Sequence, residues 1–293
     1  MPREAEPSLN ERAFVLQALQ EDIRIDGRAL DEFRGIDLKF GPEYGVADVR
    51  LGKTRVIARI SAEVTTPFPD RKFDGVFTIV TELSPLASPA FEVGRQTEQE
   101  VILSRILEKA IRRSNALDTE ALCLIAGQAV WSIRADVHVV DHDGGLVDAS
   151  CIAVMAALKH FRRPDATVSG EGHLTVFTMA ERVPVPLSLM HDPLCVSFSF
   201  YHGGEVSLVD ATLQEEQLRE GELIISMNRH GEVCQLAKLG GVPVDALTLL
   251  SCTNTALVKV KDLTALINKK LDEDAKRRNL GGLMTELSAE NER

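Results

Sequence analysis

The sequence is short of positive charge. Thirty-three lysines and arginines face 44 aspartates and glutamates, a formal net charge of -11 over 293 residues. Polyanions are drawn to positive surface, so a nucleic-acid role would need a local basic patch or basic partners. Cysteine is equally uninformative as chemistry. Cys123, Cys151, Cys195, Cys234 and Cys252 stand singly, with no CxxC pair. That pattern excludes a disulfide framework or a cysteine zinc site and fits reduced, buried thiols. The seven histidines have no metal-ligand spacing. No apolar run approaches the roughly 18 residues that a membrane helix needs, and Met1 to Asn10 is too polar for a secretory signal. A soluble, intracellular chain is expected. Phosphate loops of the GxxxxGK[ST] type, GxGxxG, HExxH and GxSxG are all missing, which removes the common NTPase, dinucleotide, zincin and hydrolase signatures.

What is present centres on Ala129 to Phe161. Ala129, Trp131, Ile133, Ala135, Val137 and Val139 alternate with Ser132, Arg134, Asp136 and His138, the period of a half-buried strand. Asp143-Gly144-Gly145 predicts a tight turn, and Asp148 is the expected cap of the helix that follows. Ala149 to Leu158 is almost wholly small or apolar, so that helix must be buried on nearly all sides. Backbone N–H groups beside a helix N-terminus can hold an anion, which makes this turn the first functional candidate.

Around it the chain reads as alternating elements. An amphipathic helix spans Leu9 to Asp22, with Phe14, Leu16, Leu19 and Ile23 on its apolar side. Arg24-Ile25-Asp26-Gly27-Arg28 reads as a linking turn. A hairpin occupies Gly41 to Val64, turning at Leu51-Gly52-Lys53-Thr54, and a strand covers Val76 to Leu83. Thr97 to Ser114 has helical spacing, with Ile102, Leu103, Ile106, Leu107 and Ala110 inward. Its outer stripe, Arg105, Lys109, Arg112 and Arg113, is either a solvated face or a phosphate-facing one. Short strands are expected within Val168 to Thr178, and Val183-Pro184-Val185-Pro186 is expected to interrupt any ladder and mark a domain boundary. Strands at Leu194 to Phe200 and Glu205 to Val209, a charged segment from Thr212 to Gly221, and a hairpin about Asn228-Arg229-His230-Gly231 precede a long helix from Val244. Asp272 onward is polar, and the last residues are expected to fray. Gly144-Gly145 and Gly240-Gly241 each follow a strand and precede a helix, which suggests two related halves in an α+β or α/β protein.

Carboxylates supply the remaining chemistry. Asp141, Asp143 and Asp148 gather at the turn and could hold magnesium, or simply serve as turn and cap residues. Asp210 ends a strand and could be a general acid, a metal ligand or a cap.

At this point the order of motifs resembles the RNase PH family. It is carried by Arg24-Ile25-Asp26-Gly27-Arg28, Leu51-Gly52-Lys53-Thr54-Arg55-Val56, Phe91-Glu92-Val93-Gly94-Arg95 and the run from Asp136 to Gly145. Within that family, Asp148 to Ala153, His160 to Asp165, Glu181 to Leu187 and Met190 to Phe200 look like a ring subunit of the eukaryotic RNA exosome. The resemblance implies an RNase PH-like α+β fold of the ribosomal protein S5 domain 2 type. Its two related βαβα halves have mixed sheets and packed helices. The expected divisions are an N-terminal helix and arm at 1–30, a first domain at 31–185, a second at 186–278 and a tail at 279–293.

Active members of that family cleave RNA from its 3′ end with inorganic phosphate, using a Gly-Gly-Thr-Arg loop and two aspartates six positions apart. Here Gly144 and Gly145 remain, but Leu146 and Val147 stand at the Thr-Arg positions. Neither side chain can donate to phosphate, and charge-assisted hydrogen bonds contribute roughly 1.5–3 kcal/mol each. The aspartate pair is matched to Gly204 and Asp210, so one carboxylate is expected to be missing. The resemblance therefore implies a non-catalytic subunit with no metal or cofactor, placed in the nucleus, nucleolus and cytoplasm. Its implied partners are other RNase PH-like ring subunits, RNA-binding cap subunits, a separate catalytic exoribonuclease and RNA, with no membrane. Arg95, Arg105, Arg112 and Arg113 are the expected RNA contacts, because arginine suits sequence-independent phosphate contact. Two competing readings are an active phosphorolytic exoribonuclease and a small-molecule enzyme with an anion site at Gly144-Gly145.

Overall fold

A capping box starts the first helix: Ser8 Oγ accepts the Glu11 N–H at 3.3 Å, and Glu11 returns a carboxylate to the Ser8 N–H at 2.8 Å. In the computed structural model, which describes residues 7–92, 94, 96–168, 174–178 and 181–279, this helix is α1 (Leu9–Gln20). Its buried stripe is Val15 and Leu19, which pack on Tyr201, Leu208, Ala211 and Leu218 of the second half. Phe14 and Ile23, expected inward, are 65 % and 56 % exposed, because α1 rests on its support along a single narrow i, i+4 line.

The first sheet is built from β1 (Ile36–Phe40), β2 (Val46–Leu51), β3 (Thr54–Thr65), β4 (Val76–Leu83), β5 (Cys123–Ile125) and β6 (Ala129–Asp141). Its order is β1-β2-β3-β6-β4, with β5 also on β6. Only β4 runs parallel to its neighbour, β6, and the remaining pairs are antiparallel. The expected alternation holds along β6: Ile133, Ala135, Val137 and Val139 are buried while Arg134 and His138 face outward. A one-residue slip would exchange Val137 for His138 in the core, so the burial pattern fixes the register.

The crossover between β4 and β6 carries α2 (Glu98–Leu107), which runs on into a π-turn at Glu108–Arg112. After the glycine turn comes α3 (Leu146–His160), buried from Asp148 through Leu158. It lies between β2 and β3 of the first sheet and a strand of the second, which is why its sequence is apolar all round.

Four short strands follow: β7 (Arg162–Arg163), β8 (Ala166–Val168), β9 (Leu174–Val176) and β10 (Val185–Pro186). β8 pairs with β9, and β10 pairs with β7. The proline segment is thus tied back onto the end of α3, a correction to its reading as an interruption. Pro186 tolerates this because a two-residue ladder does not need its missing N–H. The second sheet contains β11 (Leu194–Tyr201), β12 (Val206–Val209), β13 (Gly221–Met227) and β14 (Val233–Gly240), all antiparallel in the order β12-β11-β13-β14. A short α4 (Leu213–Leu218) joins β12 to β13, and α5 (Ala246–Arg278) lays Cys252, Ala256, Val260, Leu263 and Ile267 against the core. One continuous buried cluster runs from Leu38 to Ile267 through both sheets and α3.

The end of α5 is docked on the first half, while the tail expected to fray lies, from residue 280 on, outside the described residues. Asp274 is buried, with His160 Nε2 at 3.1 Å and the Arg278 Nε at 2.5 Å, and Arg277 also pairs with it. Arg278 donates onward to the carbonyls of Gly41 and Pro42 and stacks over Tyr44. Asp274 is the buried centre of this ion network, and the polar residues around it remain largely exposed. Among the described residues, no helix is long and apolar enough to cross a membrane.

Candidate functional site

The site forms where β6 turns into α3. Gly144 and Gly145 both have left-handed backbone, at φ 79° and 66°. A Cβ on Gly144 would lie 2.5 Å from the Ala211 carbonyl, and one on Gly145 would meet Arg34 Nη2 at 2.6 Å and Asp210 Oδ1 at 2.8 Å. Glycine is therefore required twice over, by dihedral angle and by the close approach of the second half. Thr54, fully buried, knits the turn by donating to the Gly144 carbonyl at 2.6 Å and accepting the Asp143 N–H at 3.0 Å.

Gly145, not Asp148, is the residue that precedes the helix. Asp148 is the third helical residue and is wholly buried; its Oδ2 accepts the Ser197 N–H at 3.0 Å and the Ser197 hydroxyl at 2.7 Å. It ties α3 to β11 instead of capping the helix. Burial pushes its pKa far up against those two hydrogen bonds, with Asp210 and Glu222 adding to the rise. Asp141 is exposed and Asp143 half-buried. Among the described residues no group of histidines, cysteines and carboxylates is arranged to hold a metal ion.

Asp210, a candidate from the sequence, faces the turn together with Arg34, which sequence reasoning passed over. Arg34, 8 % exposed, donates from Nε and Nη2 to both oxygens of Asp210 at 2.9 and 2.7 Å. The same guanidinium donates to the carbonyls of Asp143 and Gly144 at 2.5 and 3.1 Å. Burial opposes its charge, but the Asp210 carboxylate outweighs that and raises its pKa. Asp210 is fully buried at φ 49°, a strained angle for a non-glycine residue, and its Oδ2 also accepts from Arg28 at 3.1 Å. Arg24, 2 % exposed, forks onto Glu215 at 3.1 and 2.7 Å and reaches the Val209 and Asp210 carbonyls at 3.0 Å. The segment from Arg24 to Arg28 is thus a clamp on the second half, not a free linker.

Gly204 stands elsewhere, at the start of β12, where its nearest neighbours are Pro243 and Val242. The carboxylate that joins Asp210 at the turn is Glu216, six positions after it. Glu216 Oε1 accepts the Gly145 N–H at 2.8 Å. One of the backbone donors at this helix start is therefore taken by the protein's own carboxylate. Burial raises the Glu216 pKa, opposed by Arg219 and by the Gly145 hydrogen bond. An acid whose folded pKa is raised stabilises below its unfolded pKa and loses that contribution as pH rises through the folded value. Glu216→Gln, which keeps the acceptor and drops the charge, is expected to raise stability at pH 7.5 by under about 1 kcal/mol in urea unfolding.

Leu146 and Val147 are half-buried and pack against the core, and with Ile102, Leu103 and Ile106 they form the apolar wall of a cleft beside the turn that His142, Glu216, Arg219 and Glu222 also line. The basic stripe lies on the other side of α2. Arg105 is 65 % exposed and Arg112 49 %, and Glu108 sits between them at 3.7 and 3.0 Å. Exposed pairs of this kind contribute little, so both guanidinium groups stay free to exchange partners. Arg113 is exposed as well. Arg95 lies outside the described residues.

Comparison with known proteins adds an independent line. The model for domain 1 of the 3′ exoribonuclease family matches residues 32–164, and that for domain 2 matches residues 191–259. The chain is 53 % identical over 296 residues to the exosome complex component rrp45 of Schizosaccharomyces pombe, covering 100 % of both. It is 46 % identical over 306 residues to the exosome complex component RRP45 of Saccharomyces cerevisiae, covering 100 % of this chain and 99 % of that one. Among solved structures, a chain of the Archaeoglobus fulgidus exosome with RNA bound to its active site superposes with a TM-score of 0.74 at 30 % identity, covering 87 % of this chain and 96 % of that one.

Proposed function

The chain belongs to the 3′ exoribonuclease family of RNase PH-like proteins, and from that premise we propose that it is a non-catalytic ring subunit of an RNA exosome. Its relatives supply the subunit type, Rrp45, also called exosome component nine or the polymyositis/scleroderma autoantigen. The observation that carries the loss of chemistry is the Gly145 N–H, engaged by Glu216 and flanked by Leu146 and Val147. A phosphate there would meet the Glu216 carboxylate, while the Arg219 guanidinium lining the same cleft is paired with Glu222 at 2.8 Å, so the phosphate charge would be repelled rather than held. The later aspartate of the family's acidic pair is matched by Asp210 and the earlier falls on Gly204, so half of that pair is missing along with the phosphate grip. Asp210 is the one feature favouring the alternative, an active phosphorolytic exoribonuclease. Asp210 is however committed to Arg34 and Arg28 and has no free edge for a metal or a proton.

In this role the partners are other RNase PH-like ring subunits, RNA-binding cap subunits, a separate catalytic exoribonuclease and the RNA itself, in nucleus, nucleolus and cytoplasm. Native mass measurement of the protein purified from its cells tests the assembly: a hetero-oligomer of several similar subunits is expected, and a lone monomer contradicts it. Arg95, Arg105, Arg112 and Arg113 are proposed to face RNA. Arg105→Glu with Arg112→Glu in the assembled complex should weaken RNA binding about tenfold and flatten its salt dependence by about one to two phosphate contacts. Unchanged RNA protection would remove this stripe from the RNA path.

A further inference from the structure

A second cavity, of about 320 Å³, opens between the end of α5, the end of α3 and the Val183–Pro184 segment. It is separate from the glycine turn, and nothing described so far uses it. Most of its charges are already matched. Lys159 donates to Asp192 at 2.6 Å and to Asn268 at 2.8 Å. Arg278 is held by Asp274, by the Gly41 and Pro42 carbonyls and over the Tyr44 ring. Asp274 is in turn shared with His160 and Arg277, while Asp272 is exposed at the rim.

Arg162 differs. It is half-buried, and its Nη1 donates at 2.9 Å to the carbonyls of Lys159 and Phe161. Among the described residues it has no carboxylate partner, and its Nε and Nη2 make no hydrogen bond. Burial lowers its pKa, the direction expected for a cation short of a counterion. The half-buried Tyr44 and, at the exposed rim, Asn279 also line the cavity. The walls between these polar groups are Val183, Pro184, Leu271 and Ala275. A cavity of this size with an apolar wall and a few converging polar groups has the character of a small-molecule site. An open guanidinium edge selects phosphate or carboxylate by a two-point contact.

We propose that this cavity binds a phosphate monoester carrying a flat heterocycle, the chemistry of a nucleoside monophosphate. The phosphate takes the free edge of Arg162, the Tyr44 hydroxyl and Asn279 amide donate to it or to the sugar, and the heterocycle lies on Pro184 and Leu271. The inference rests on the open edge of Arg162 and the cavity, independently of whether the glycine turn is catalytic.

Isothermal titration of the full chain with adenosine monophosphate, adenosine and inorganic phosphate tests it. Adenosine monophosphate is expected to bind at least about tenfold more tightly than either fragment, since it alone uses both the charge-assisted contact and the apolar wall. Arg162→Gln should weaken it about tenfold or more, and Tyr44→Phe, which keeps every apolar contact of the ring, about threefold. Adenosine binding as tightly as the monophosphate overturns the proposal. So does an affinity unchanged in both variants, or no heat from the monophosphate at about 10 mM, well above the range of a specific site.

Discussion

Replacing Arg34 by methionine is expected to lower the unfolding free energy by about 3–5 kcal/mol, the largest effect of any single substitution at the glycine turn. Methionine fills much of the same space, so the loss is electrostatic. Asp210 would keep Arg28 and the backbone N–H of residue 34 on Oδ2, and its Oδ1 would be buried without a partner. The Asp143 and Gly144 carbonyls would lose their guanidinium donor too, loosening the turn that starts α3. Urea unfolding of the wild type, Arg34→Met, Asp210→Asn and the double variant measures this. The double variant should cost less than the sum of the two single changes by at least about 1 kcal/mol, because it leaves neither charge stranded. A loss under about 1 kcal/mol for Arg34→Met would mean that the network is not what holds the two halves at the turn.

Acidification should release the end of α5. His160 is 3 % exposed, with Nδ1 accepting the Gly45 N–H at 3.1 Å and Nε2 facing Asp274. Burial, then the Arg278 charge, push its pKa down to about 4 despite the opposing pull of Asp274. The unfolded chain takes up this proton near pH 6.5, so the neutral ring stabilises fully above that value. The contribution is lost as pH falls from about 6.5 to about 4, and amounts to roughly 3 kcal/mol. Glu216, Glu222 and Asp148 have raised pKa values and act in the opposite sense over the acid range. The comparison that isolates His160 is therefore the difference between wild type and His160→Gln. Stability measured at pH 7 and pH 4.5 should fall more steeply in the wild type by about that amount. Parallel profiles would show that the ring is not held neutral by the fold.

The regular elements were legible because they follow single rules. β6 alternates, α3 is apolar all round, and two glycines mark the turn between them. Helix α5 was legible up to Leu271 by its inward spacing, but not beyond. Asp274 carries no periodic signal, and its partners are His160 and the adjacent arginines, brought together only by folding. The same holds at the turn. Asp148 in a sequence is a good cap, yet a left-handed Gly145 takes that position and leaves the carboxylate pointing at Ser197. Arg34 sits in a stretch with no period, and Glu216 in a segment that reads as solvated charge. The departure from Thr-Arg at Leu146 and Val147 was visible residue by residue. The Glu216 carboxylate on the Gly145 N–H was not, since that depends on where α4 places a side chain in space.

The most direct test of the central claim is phosphate-dependent release of nucleoside diphosphates from single-stranded RNA. It should be measured on the purified protein alone and on a ring assembled with its partners, with Asp210→Asn and Glu216→Gln variants of this chain alongside. No release by the protein alone, and ring activity indifferent to both variants, is the predicted result. Release that requires Asp210 or Glu216 of this chain would contradict it.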